Sequence, residues 1–123
     1  QGNLSNKLNY DRRLCVDLYQ STKEDQINLN LYQDQALDDF SKLSQDKFET
    51  IFVDPPRSGF KQLSDWVNHF RPKNLLYMSC NPITQINDIR PLLSDYLISD
   101  VILVDFFPST FHFESIVAMQ QKM

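Results

Sequence analysis

Two short apolar runs, each stopped by a proline-bearing turn, constrain this chain more than any other feature. Residues 50–53 (TIFV) end at Asp54-Pro55-Pro56, and residues 74–78 (NLLYM) run into Ser79-Cys80-Asn81-Pro82. A short continuous apolar run between turn signals is the pattern of a strand buried on both faces. Helical stripes follow each run. Leu63, Trp66, Val67 and Phe70 share one side of a helix over residues 61–70, which Pro72 closes. Ile83, Ile86, Ile89, Leu92 and Leu93 do the same over residues 83–93, where Pro91 predicts a kink or an early end. Residues 98–107 and 115–119 read as two further strands, joined by a 108–114 connection. Strand, helix, strand, helix, strand is the order of a parallel α/β sheet. Ligands of such sheets bind at the carboxyl ends of the strands, where Asp54, Cys80 and the 108–114 connection all fall.

The earlier chain is less regular. Residues 13–19 (RLCVDLY) alternate as a short strand does, with a helical turn as the rival, and residues 27–32 (INLNLY) alternate cleanly. Ala36, Leu37, Phe40 and Leu43 predict an amphipathic helix over residues 35–43. With 123 residues, one core is expected. Hydrophobic residues at 41% and charged residues at 23% fit a globular protein, and no apolar run approaches the roughly 20 residues that span a bilayer. The opening QGNLSNKLNYDRR has no apolar leader segment, so the cytoplasm is the expected compartment. Only two glycines, Gly2 and Gly59, are present, which excludes a glycine-rich phosphate loop from this chain. The net charge of −4 argues against holding nucleic acid by phosphate neutralisation alone.

Three places can carry chemistry. Asp54 sits at the end of a strand on backbone that two prolines stiffen, suited to gripping a polar ligand; the alternative is a plain Asp-Pro turn. Cys80 lies at the mouth of a helix, the setting of reactive thiols, and is a candidate nucleophile; a lone cysteine also serves as a small buried hydrophobe. Cys15 has no such context. His112 and Glu114 point to one side if the chain is extended there, and can supply a base and a group that orients it. Two separated cysteines and two histidines show no zinc spacing, so no metal is expected.

These stretches, VDPPRSG (53–59), LYMSCNPIT (76–84) and VDFFPSTFHFES (104–115), together resemble the final third of the RNA uracil-5-methyltransferase family, which makes 5-methyluridine in tRNA and ribosomal RNA. The resemblance is firm from about Phe48 onward and plausible from Ile27. It implies that Cys80 is the nucleophile adding to C6 of uracil, that Glu114 removes the C5 proton, and that Asp54 stands where S-adenosylmethionine meets the base. A polar contact to the cofactor is implied in Gln33-Asp34-Gln35, with Gln35 the choice and Asp34 the rival. Arg57, Asn81 and His112 are expected, with Asp54, to contact substrate. The RNA is expected as a flipped or single-stranded uridine.

The implied fold is the C-terminal part of a Rossmann-like class I methyltransferase sheet, mostly parallel with an antiparallel final strand, in the order 3-2-1-4-5-7-6. The family's RNA-binding β-barrel and glycine-rich cofactor loop have no counterpart here. The chain therefore reads as a C-terminal piece: residues 1–26 have no firm assignment and residues 27–123 belong to a catalytic domain. An isolated piece is expected to bind S-adenosylmethionine weakly or not at all, and to self-associate through the sheet edge left unpaired. Two functions are open: the catalytic part of a uracil-5-methyltransferase whose RNA is held mostly by other parts, or a noncatalytic α/β module acting only with another chain.

Overall fold

The computed structural model describes residues 15–17, 26–28, 30, 33–43, 47–106, 109 and 113–123. Among the described residues, six strands and three α-helices follow the predicted order. They are β1 (Cys15–Asp17), β2 (Gln26–Asn28), α1 (Ala36–Leu43), β3 (Thr50–Val53), α2 (Leu63–Phe70), β4 (Asn74–Ser79), α3 (Pro82–Ile89), β5 (Tyr96–Val104) and β6 (Glu114–Gln121). A single 3-10 turn, Arg90–Leu92, follows α3, so Pro91 ends the α-helix early. Of the strand expected over residues 13–19, Cys15–Asp17 are observed as strand, and residues 13, 14, 18 and 19 lie outside the described residues. Of the strand expected over residues 27–32, the described part is Gln26–Asn28; residues 29, 31 and 32 lie outside the described residues.

Several boundaries differ from the expected ones for local reasons. Helix α2 starts at Leu63 because Lys61 and Gln62 form a turn, with the Leu63 amide donating to the Phe60 carbonyl at 3.1 Å. It ends at Phe70, with Arg71 as its cap before Pro72. Arg71 adopts a left-handed conformation (φ 49°, ψ 52°) and its amide donates to the Val67 carbonyl at 2.7 Å. A residue before proline is barred sterically from the helical region, so the chain must leave the helix there. The Arg71 guanidinium meets Asp95 at 3.2 Å and lies 5.9 Å over the Tyr96 ring. Strand β5 begins two residues earlier than its apolar run, at buried Tyr96, and Asp105 and Phe106 lie beyond its end. Glu114 is the first residue of β6 rather than part of the connection before it.

The main sheet has the order β3-β4-β6-β5. β3 and β4 are parallel, whereas β6, the last strand in sequence, inserts antiparallel between β4 and β5. Three strands thus run one way and the final one runs back, which is the 4-5-7-6 part of the expected order. β1 and β2 form a separate parallel pair. That pairing suits the second and third strands of the expected order, and no described strand fills the position of the first.

The helices pack on one face. Leu75, Tyr77, Val117 and Met119 from the strands join Phe40, Leu63, Val67 and Ile89 from the three helices in one buried cluster. Each fully buried aliphatic side chain there contributes about 1.5–3 kcal/mol. Phe40, Trp66 and Phe70 stack around one another with centroids 5.4–6.0 Å apart, at separations favourable for offset and edge contacts. On the other face, Leu76, Met78, Ile116 and Ala118 are half-buried, and Phe52 and Ile102 are 43% and 46% exposed.

Candidate active site

The site grows from the end of one strand ladder. β4 and β6 pair as Tyr77↔Val117, Met78↔Ile116 and Ser79↔Ser115, the last pair of the ladder, so Cys80 follows the end of one strand where Glu114 begins the other. Alternation turns Ser79 and Ser115 into the core, where both are buried, and leaves Cys80 exposed and Glu114 half-buried. β3 ends at Val53, which pairs with Tyr77 two residues before β4 ends, and this brings Asp54 to the same carboxyl edge. Continued alternation puts Asp54, Cys80 and Glu114 on the face of Phe52, Met78 and Ile116, away from the helices.

A buried polar network pins this register. Gln85 of α3 donates from Nε2 to the carbonyls of Tyr77 (2.9 Å) and Ser115 (3.1 Å), and its Oε1 accepts from Ser115 Oγ at 2.6 Å. One side chain thereby joins β4, β6 and α3 at the end of the ladder that Cys80 and Glu114 flank. Its amide is matched at both ends, as a buried amide must be.

The turn carrying Cys80 is rigid. The Asn81 amide donates to Ser79 Oγ at 2.9 Å, Asn81 Oδ1 accepts from the Ile83 amide at 3.2 Å, and Pro82 opens the helix. This is a regular N-cap followed by a proline whose missing N–H costs nothing. Asn81 Nδ2 also donates to the Arg57 carbonyl at 3.2 Å. The side chain expected to touch substrate thus joins the two halves of the site, while the Arg57 side chain is exposed.

Asp54 is exposed at the edge, yet partial burial among its neighbours raises its carboxyl above the ordinary carboxylate range. Residues 33–35 form the turn before α1. Gln33 and Asp34 line a cavity of about 300 Å³ with Leu37, Asp38, Gln62 and Trp66, whereas Gln35 lies outside that lining. His112 lies outside the described residues. Sequence reading missed Gln85 and Asp88. Their signal is polar residues placed on α3 at helical spacing from Asn81, on the side of the helix that faces the sheet and the 54–60 loop.

A sequence model of the family described as tRNA (uracil-5-)-methyltransferase matches residues 12–122. The 23S rRNA (uracil(747)-C(5))-methyltransferase of Pyrococcus abyssi is 43% identical over 76 residues, 61% of this chain and 18% of that protein. The enzyme of the same name from Pyrococcus horikoshii is 36% identical over 103 residues, covering 83% of this chain and 24% of that protein. Among solved structures, the Pyrococcus abyssi tRNA (uracil-54, C5)-methyltransferase in complex with S-adenosyl-L-homocysteine superposes with a TM-score of 0.55 at 38% identity, over 62% of this chain and 19% of that one. The chain therefore spans about a quarter or less of the length of these relatives. A family match across nearly the whole chain and the shared sheet together establish that this chain belongs to the tRNA (uracil-5-)-methyltransferase family.

Proposed function

We propose that the chain is the C-terminal part of the catalytic domain of an RNA methyltransferase that moves a methyl group from S-adenosylmethionine to C5 of a uridine in tRNA or ribosomal RNA. The observation that supports this reading is the end of the β4–β6 ladder at Ser79↔Ser115, which the exposed, free thiol of Cys80 follows on one strand and the carboxylate of Glu114 precedes on the other. Uracil C5 is a poor nucleophile. Addition of the Cys80 thiolate forms a bond from Sγ to C6 and pushes the C5–C6 π electrons toward C5 and O4, making C5 able to take a methyl group. Glu114 then accepts the C5 proton, and the released electron pair restores the double bond as Sγ leaves C6. Splitting the substitution this way replaces one high barrier with lower ones.

S-adenosylmethionine, when bound, supplies an electrophilic methyl group on a cationic sulfur. The donor set fits such a group: Asp54 at the sheet edge and the acidic lining of the α1–α2 cavity, with Asp34, Asp38 and Asp65, offer acceptors for hydroxyls and for positive charge. Asp34 and Gln33 are better placed there than Gln35. The RNA is gripped mostly by parts that relatives carry beyond this length, which accords with the acidic balance here. No helix among the described residues is long and apolar enough to cross a membrane, and the cytoplasm is the proposed compartment. The outer edge of β3, unpaired among the described residues, is the proposed route of self-association.

The test uses RNA containing 5-fluorouridine and the full-length polypeptide that bears this sequence. Fluorine at C5 removes the proton that Glu114 would take, so a covalent protein–RNA adduct accumulates. Cys80→Ala is expected to form none; an adduct in that variant sinks the assignment.

A further inference from the structure

Helix α3 and its N-cap carry a stripe of polar side chains whose bonds to the neighbouring loop the chemistry above does not use. Asn81, Thr84 and Asp88 recur at helical spacing, and all three hold the loop that follows β3. Asn81 Nδ2 and Thr84 Oγ1 both donate to the Arg57 carbonyl, at 3.2 and 3.1 Å. Asp88 Oδ2 accepts the Phe60 amide at 2.7 Å and the Tyr77 hydroxyl at 2.6 Å. One carboxylate oxygen thus bonds the loop and β4 at once, with short, charge-assisted contacts. Gly59 is part of the same fit. It has φ +85°, and a Cβ there would stand 2.7 Å from Asp88 Oδ2 and 3.1 Å from Thr84 Cβ. Only a glycine allows the loop to lie this close to the helix.

We infer that Asp88 is a positioning residue for the proposed methyl transfer: through Phe60 and Tyr77 it locks the Asp54 loop to the helix that begins just after Cys80. Asp54 and Cys80 stand on different strands, and nothing in either strand sets the path of residues 54–60. The stripe on α3 does. Loop and thiol then move as one body, and the gap between cofactor-side and base-side groups is set before substrate arrives. Asp88 touches no reacting atom in this scheme. The inference rests on the proposed function for its catalytic meaning, and on the hydrogen bonds alone for the latch.

Amide hydrogen exchange reads the latch without any reaction. Asp88→Ala is expected to speed exchange over residues 57–60 roughly tenfold or more, the scale of losing a charge-assisted hydrogen bond, while amides of β4 and β6 keep their protection. Asp88→Asn, which retains an acceptor oxygen, recovers most of that protection. Thr84→Val, a change that leaves the core intact, gives a smaller acceleration confined to the same loop. Unchanged loop exchange in Asp88→Ala and Thr84→Val overturns the latch, as does acceleration spread equally through β4 and β6. In the full-length enzyme, Asp88→Ala should slow formation of the 5-fluorouridine adduct about tenfold at saturating RNA, with the half-saturating RNA concentration shifted less than about threefold. A change confined to RNA affinity overturns the positioning role. An enzyme whose unaltered form makes no adduct removes the proposed function, and the exchange measurements still decide the latch.

Discussion

The two faces of the main sheet are built from similar residues and treated in opposite ways. On one, Leu75, Tyr77, Val117 and Met119 are closed over by helices; on the other, Phe52 and Ile102 remain nearly half exposed. The covered face holds the fold together, and the open face carries Asp54, Cys80 and Glu114 at its carboxyl edge. Stability and chemistry are thereby separated across one layer of backbone. The difference teaches that apolar strands alone do not specify a core: a face becomes core only where another element covers it. Here the covering elements are α1, α2 and α3, and even their one buried amide, Gln85, serves the register of the strands behind the site.

This contrast can be broken by substitution on each face. The largest effect is expected from Leu75→Ala on the covered side, where a fully buried leucine leaves a cavity and unfolding free energy should fall by about 2–5 kcal/mol in urea titration. A loss under ~1 kcal/mol would mean that this face is less tightly packed than its burial indicates. Next is Gln85→Met, which removes the amide that accepts from the Ser115 hydroxyl and donates to two carbonyls. It should cost about 1–3 kcal/mol by the same measurement and loosen amide exchange at Ser79 and Ser115 first. Phe52→Lys on the open face should leave stability within about 0.5–1 kcal/mol, since little packing is lost. It should also weaken self-association in sedimentation runs, because charge on an edge strand opposes pairing with another chain; unchanged association would move the contact away from β3.

The smallest effect concerns Asp54. Burial raises its carboxyl pKa, so the folded state binds the proton more tightly than the unfolded state. Stability then declines as pH rises from the ordinary carboxylate range through the raised value, and the penalty persists at neutral pH. Asp54→Asn should abolish this component and equal or slightly exceed the parent in thermal stability at pH 7. The difference between the two proteins should vanish at pH 3. A variant less stable than its parent at pH 7 would show that the carboxylate makes a favourable contact in the folded chain.

Much of this was legible in the residues. TIFV and NLLYM, stopped by Asp54-Pro55-Pro56 and Ser79-Cys80-Asn81-Pro82, marked β3 and β4 within one residue, because apolar runs and prolines act locally. The candidate thiol and carboxylates followed from strand ends. The start of β5 was misread by two residues because Tyr96 and Leu97 precede the most apolar stretch, while pairing with β6 extends the strand to include them. The roles of Asn81 and Asp88 in holding the 54–60 loop were invisible, since neither Arg57 nor Phe60 is near them in sequence.

By itself the sequence determined which segments become strands and helices, where they stop, and which residues have the chemistry of a nucleophile and a base. These are set by side-chain period, by proline and by residue type. The family resemblance implied that the last strand returns antiparallel, but only the tertiary structure decided its register, which ends the ladder at Ser79↔Ser115, and which face of the sheet stays open. Strand order and register depend on hydrogen bonds and packing between segments far apart along the chain. A local pattern therefore names the partners without saying how they meet.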